Sequence, residues 1–180
     1  MIKSVLHERL QPVRDTLSNR GVGFLLLSGV FRSGAQWMDI IVLGWFVLDV
    51  SGSSFEVAKV AFFRMIPLSV SGPLGGVLAD RFPRKHILLF TGMISMGGTA
   101  VLAVLISFDI VVLWHIYVVA LVLGIGFSAN NPARRAVMRD LAGDKLLINA
   151  LALDQIGFSL SRVLGPFIGG LTISILGAGS

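Results

Sequence analysis

The chain has 180 residues, of which 54% are hydrophobic and only 14% charged, with a formal net charge of +5 and a mean hydropathy of +0.85. A soluble domain carries about 25% charged and about 45–50% apolar residues, so a soluble enzyme, a disordered regulator and a nucleic-acid-binding module are excluded, and basic loops beside a membrane account for the charge. With no cysteine and only His7, His86 and His115 scattered along the chain, there is neither a disulfide framework nor a metal-ligand spacing, and no metal or cofactor is expected.

A helix needs about 20 apolar residues to cross the hydrocarbon core. Residues 1–21 mix Leu and Val with Arg and read as a cytoplasmic N-terminal segment, either a surface helix or a disordered tail. Five spans are expected within 22–180: Phe24 to Val47, Val57 to Leu78, Ile87 to Phe108, Ile110 to Ala129 and Leu146 to Leu176. The first is too long for the apolar core of a signal peptide and lacks a cleavage site. The third and fourth are nearly continuous, separated only by Ser107 and Asp109.

Lys and Arg set the orientation. Lys3, Arg9, Arg14 and Arg20 precede span one, Arg81, Arg84 and Lys85 follow span two, and Arg134, Arg135, Arg139 and Lys145 follow span four. These regions fall on one side if five spans alternate, and the positive-inside rule makes that side cytoplasmic. Asn131-Pro132 is a good helix start, a capping residue before a proline. A short amphipathic surface helix is therefore expected there, with Ala133, Val137, Met138 and Leu141 on one face and Arg134, Arg135 and Arg139 elsewhere. Asp144 is a plausible cap for the span that follows.

Charges inside the spans are costly and generally functional. Ser28, Arg32, Gln36 and Asp39 step by four, four and three, which makes one polar stripe on span one. Asp39 lies roughly 22 Å, and Arg64 roughly 21 Å, from the cytoplasmic ends of their spans at 1.5 Å per residue. Arg162 reaches a similar level in span five, and Asp154 lies lower. Arg32, Gln36, Asp39, Arg64, Gln155 and Arg162 are the candidates for a substrate and proton path, with Asp39 as the proton carrier because an ionised carboxylate is costly in hydrocarbon. In span five, Gly157, Ser161, Gly165 and Gly169 repeat every four residues as a small face for close helix packing. Gln155, Ser159 and Arg162 point roughly the other way, and Pro166 can kink the helix.

Gly76-Val-Leu-Ala-Asp80-Arg81-Phe-Pro83-Arg84-Lys85 resembles the loop motif between the second and third spans of the major facilitator superfamily, with Pro83 where glycine is usual. Arg64-Met-Ile-Pro67, Asn131-Pro132-Ala-Arg134 and Arg162-Val-Leu-Gly165-Pro166-Phe-Ile-Gly169-Gly170 resemble the branch that holds the enterobactin exporter and macrolide-efflux-type proteins. The last stretch is also similar to the antiporter motif, with Ser161 in place of its first glycine.

The resemblance implies an all-α integral membrane fold, here five helices of a six-helix N-terminal half. It implies an exporter of a small molecule such as a siderophore or drug, coupled to protons and working by alternating access in the inner or plasma membrane. Span four lacks the motif arginine of many proton-driven exporters. Asp80, Arg81 and Arg84, with Gly76 and Lys85, would form the cytoplasmic gating loop. Gly165, Pro166, Gly169 and Gly170 would form the antiporter-like face, packed against a missing C-terminal half and partly exposed without it. Expected partners are membrane lipid, a small-molecule substrate, protons and that missing half, with no nucleic acid. The rivals are an importer of the same fold, which the Gly-Pro motif disfavours, and a non-transporting membrane scaffold. No clustered nucleophile and base supports an enzyme.

Overall fold

The structure is a computed structural model whose description covers the backbone of residues 11, 13–81 and 83–176, and the side chains of these residues except 70–81 and 176. The described residues are helical with short joints. Residues 13–18 form a helical stretch, which decides the open reading of the N-terminal segment over that part. Four helices follow: α1 (Arg20–Ser51), α2 (Ser54–Arg81), α3 (Arg84–Ser107) and α4 (Leu113–Leu176). Three are long and apolar enough to cross a membrane over their described residues, namely α1, α3 and α4 from Leu113 to Ile175. Large apolar side chains stand outward along them, Phe24, Met96, Ile148 and Val163 among them, as expected of helices whose solvent is lipid.

The joints follow from local chemistry. After α1, Gly52 adopts φ +62° and its N–H bonds the Leu48 carbonyl at 2.8 Å. That is the single-bond left-handed cap that glycine favours at a helix end. The connection expected between Val47 and Val57 thus shrinks to Gly52 and Ser53, with the Ser51 hydroxyl accepting from the Ser53 N–H at 3.2 Å. After α3 the left-handed position is Asp109, at φ +52°. The Asp109 N–H bonds the Ile106 carbonyl at 3.0 Å and the Ile110 N–H bonds the Leu105 carbonyl at 3.1 Å, the paired closure of a Schellman cap. The break expected at Ser107 and Asp109 is present and has this cause.

α4 differs most from expectation. As one rod its 64 residues would reach about 96 Å, about three times the hydrocarbon thickness. Gly143, at φ 66° and ψ 169°, breaks it in a backbone region open in practice to glycine alone. The expected boundary at Asn131-Pro132 is absent, and the helix runs through both residues. Proline removes one N–H and crowds the preceding turn, but packing on both sides holds the helix together. Ala133 and Met138 are fully buried, and Arg134 is buried as well. The separate amphipathic surface helix is therefore corrected to the last turns of a long helix, and Arg134 does not belong to its polar face.

The chain divides into two compact units, Met1–Trp45 with Met138–Ser180, and Phe46–Val137. In the first, Val22, Met138 and Ala150 form a buried core with Leu25, Leu26, Ala142, Leu147 and Leu151 packed around it. Successive contacts run Val30 to Gly157, Gly34 to Gly165 and Met38 to Gly169, so the α4 stretch beyond Gly143 is parallel to α1. In the second unit, Arg64 meets Gly124, while Gly98 meets Leu123 and Gly126 meets Ile94. There α4 is antiparallel to α3, and with Glu56 meeting Tyr117 it is parallel to α2.

Candidate functional site

The polar stripe of α1 and the residues of α4 that answer it belong to the first unit. Arg32, Gln36 and Asp39 are half-buried on α1, Asp154 is half-buried on α4, and Gln155 and Arg162 are exposed there. The small face of α4 brings the two helices together. A Cβ on Gly165 would fall 2.7 Å from Trp37 Cβ and 2.8 Å from the Gly34 carbonyl oxygen, and one on Gly157 would fall 2.8 Å from Val30 Cγ2. Ser161 takes the fourth small position, buried, where its hydroxyl donates to carbonyls of Val30 at 3.1 Å and Gly157 at 2.9 Å. The close helix contact expected of this face is present, and of the antiporter-like stretch Gly165 and Gly169 join it while Gly170 stays exposed. Gly157, Ser161, Gly165 and Gly169 are all buried, and α1 is their partner. The first glycine of the motif becomes serine without loss, because the hydroxyl reaches the backbone across the contact.

This close approach sets Trp37 between the helices. Its ring meets Phe158 edge-on at 5.9 Å between centroids, and the Arg162 guanidinium lies 5.3 Å over it. Trp37 Nε1 is buried with no hydrogen-bond partner among the described residues. Residue patterns pointed to Arg162 and to Gln36 and Asp39 on either side of Trp37, but not to Trp37 or Phe158, which read as ordinary apolar residues of a span.

The remaining candidate, Arg64, is half-buried in the second unit. Its carbonyl oxygen would lie 2.3 Å from a Cβ on Gly124, so only glycine lets the α2 backbone come this close. Two polar contacts that sequence patterns missed brace the same unit. The Tyr117 hydroxyl donates to the Glu56 carboxylate. That carboxylate also pairs with Lys59 at 2.6 Å, and Lys59 sits over the rings of Phe55 and Tyr117. Further along α4, Asn130 is buried and its side-chain amide donates to the Thr91 hydroxyl at 2.8 Å.

Of the gating-loop residues, Gly76, Asp80 and Arg81 fall on the last turns of α2, and their side chains lie outside the described residues. Arg84 and Lys85 are exposed in the first turn of α3. Pro83 precedes that turn, and its carbonyl accepts from the His86 N–H at 2.8 Å. Pro166 and Gly170 flank the small face, and a Cβ on Gly170 would meet nothing within 4 Å.

The family model described as transmembrane secretion effector matches residues 16–180. The MFS-type transporter YfiS of Bacillus subtilis is 29% identical over 158 residues, covering 87% of this chain and 37% of that protein. The staphyloferrin A transporter of Staphylococcus aureus is 28% identical, covering 84% of this chain and 37% of that protein. The multidrug efflux pump Tap of Mycobacterium bovis is 30% identical, covering 89% and 40%. The chain therefore spans 37% to 40% of the length of these relatives. No solved structure matches it. With that match over residues 16–180 and relatives that are transporters rather than enzymes, the chain belongs to the transmembrane secretion effector family of the major facilitator superfamily and is integral to the membrane.

Proposed function

We propose that the chain is the N-terminal part of a proton-coupled exporter that moves a small molecule by alternating access. In this reading five spans cross the membrane, α1, α2, α3 and the two stretches of α4 on either side of Gly143, with the N-terminus cytoplasmic. The single observation that carries the reading is the polar stripe. Arg32, Gln36 and Asp39 on α1, and Gln155 and Arg162 on the parallel stretch of α4, share one compact unit. Charged side chains within spans that face a pathway or pair there are the rule, because lipid exposure is costly. A scaffold has no use for them. Export is favoured over import by the Gly165-Pro166 motif and by relatives named as efflux pumps. A relative named as a staphyloferrin A transporter and the cationic lining leave siderophores and drugs as the substrate classes.

Asp80, Arg81 and Arg84 act as the cytoplasmic latch, and Asp39 carries the proton. The test is transport by the full-length protein in proteoliposomes, with ethidium and erythromycin as probes and an imposed pH gradient. Gradient-dependent movement of a probe, with a pH profile that Asp39→Asn flattens, is the expected result. Movement whose pH profile survives Asp39→Asn removes Asp39 from coupling, and no gradient-dependent movement of any probe removes the proton.

A further inference from the structure

We infer that Trp37, Phe158 and Arg162 form a subsite for a flat aromatic anion, an aryl carboxylate or sulfonate. The inference rests on the transporter reading and names the substrate class of that same path.

Two unmet donors carry it. Among the described residues Trp37 Nε1 is buried without a partner, and the indole N–H can only donate. Among the described residues Arg162 has an aromatic contact and no hydrogen-bonded or ion-paired partner: its guanidinium lies 5.3 Å over the Trp37 ring. A guanidinium held over a ring keeps N–H groups with which it can meet a carboxylate or sulfonate by two parallel bonds. Both donors therefore call for an acceptor, and the one that also compensates the arginine's charge within a membrane span is an anion.

The aromatic half follows from the rings. Trp37 meets Phe158 edge-on at 5.9 Å and 62°, which gives a corner of two ring surfaces beside the cation. Ring faces and edges attract one another in offset or edge-on geometry, so a flat apolar body fits this corner and an alkyl chain gains less.

The contact geometry makes the subsite a fixed one. Gly165 lets Trp37 Cβ come within reach of the α4 backbone, and the Ser161 hydroxyl locks the same pair of helices one turn away. The helix contact thereby holds the indole ring beside Arg162.

The experiment is equilibrium dialysis of labelled 2-naphthoate and of neutral 2-naphthamide against the full-length protein in nanodiscs, with empty nanodiscs subtracted. Saturable naphthoate binding at least tenfold tighter than naphthamide binding is expected. Arg162→Gln should remove that preference by weakening naphthoate about tenfold while leaving naphthamide unchanged. Trp37→Leu should weaken both, and Trp37→Phe, which keeps a ring and loses the donor, should fall between. Thermal unfolding of each variant separates loss of the subsite from loss of the fold. Equal binding of the two probes, or a preference that survives Arg162→Gln in a folded protein, overturns the inference. Ethidium transport is measured on the same preparations. Active transport without naphthoate binding sinks the subsite and spares the transporter reading, whereas naphthoate binding without any transport does the reverse.

Discussion

Asn19 serves two helix ends at once. Its side-chain oxygen accepts from the N–H groups of Gly21 at 3.0 Å and Val22 at 3.4 Å, which caps the start of α1. Its side-chain amide donates to the Leu141 carbonyl at 2.8 Å, one of the carbonyls stranded where Gly143 stops the helix. The beginning of α1 and the break in α4 are thus tied by one side chain. Asn19→Ala removes all three bonds and is expected to destabilise by about 1–2 kcal/mol, from the range measured for capping residues. Asn19→Asp keeps the acceptor and loses the donor, so it should fall between. Thermal unfolding in detergent measures both, and an unchanged midpoint for Asn19→Ala contradicts the dual role.

At the scale of elements, the small-residue face of α4 decides which helix lies beside which. Gly165 faces Trp37 and Gly34 at distances that leave no room for a side chain, while Gly170, five residues on, faces open space. Gly165→Leu should therefore push α1 away, cutting the yield of folded protein and the contact between Arg162 and Trp37. Gly170→Leu should leave folded yield and unfolding midpoint unchanged. Gel filtration of the two variants side by side checks this, and equal behaviour contradicts the packing. The comparison also shows why a motif is an incomplete guide. The repeat at Gly157, Ser161, Gly165 and Gly169 announced close packing, and the packing is there. The repeat itself names no partner, and only the structure shows that α1 takes that place. Asn131-Pro132 has the chemistry of a helix start, but Asn130 and Arg134 are buried around it, and tertiary contacts outweigh a local terminus signal. Trp37 was illegible for a different reason. In a span where nearly everything is apolar, one aromatic residue carries no pattern, and only the neighbour across the helix contact gives it a role.

At the scale of the whole molecule, the account rests on the order of crossings. Hydrophobic length and the spacing of Lys and Arg made the helices legible, because both are imposed by the bilayer. The meeting of Asn19 with Leu141 puts the start of α1 beside the end of α4's first stretch, two of the three places where basic residues gather. Single cysteines at Ser54 and Asp109 should therefore label from outside intact cells, and those at Arg84 and Asp144 only after permeabilisation. Labelling of Ser54 and Arg84 from the same side would break the five-span order. Outward transport driven by protons is measured in inverted membrane vesicles from cells expressing the full-length protein. Energised vesicles should accumulate ethidium or erythromycin, and an uncoupler that collapses the pH gradient should release it. Accumulation that requires right-side-out vesicles, or that persists without the gradient, would contradict the account.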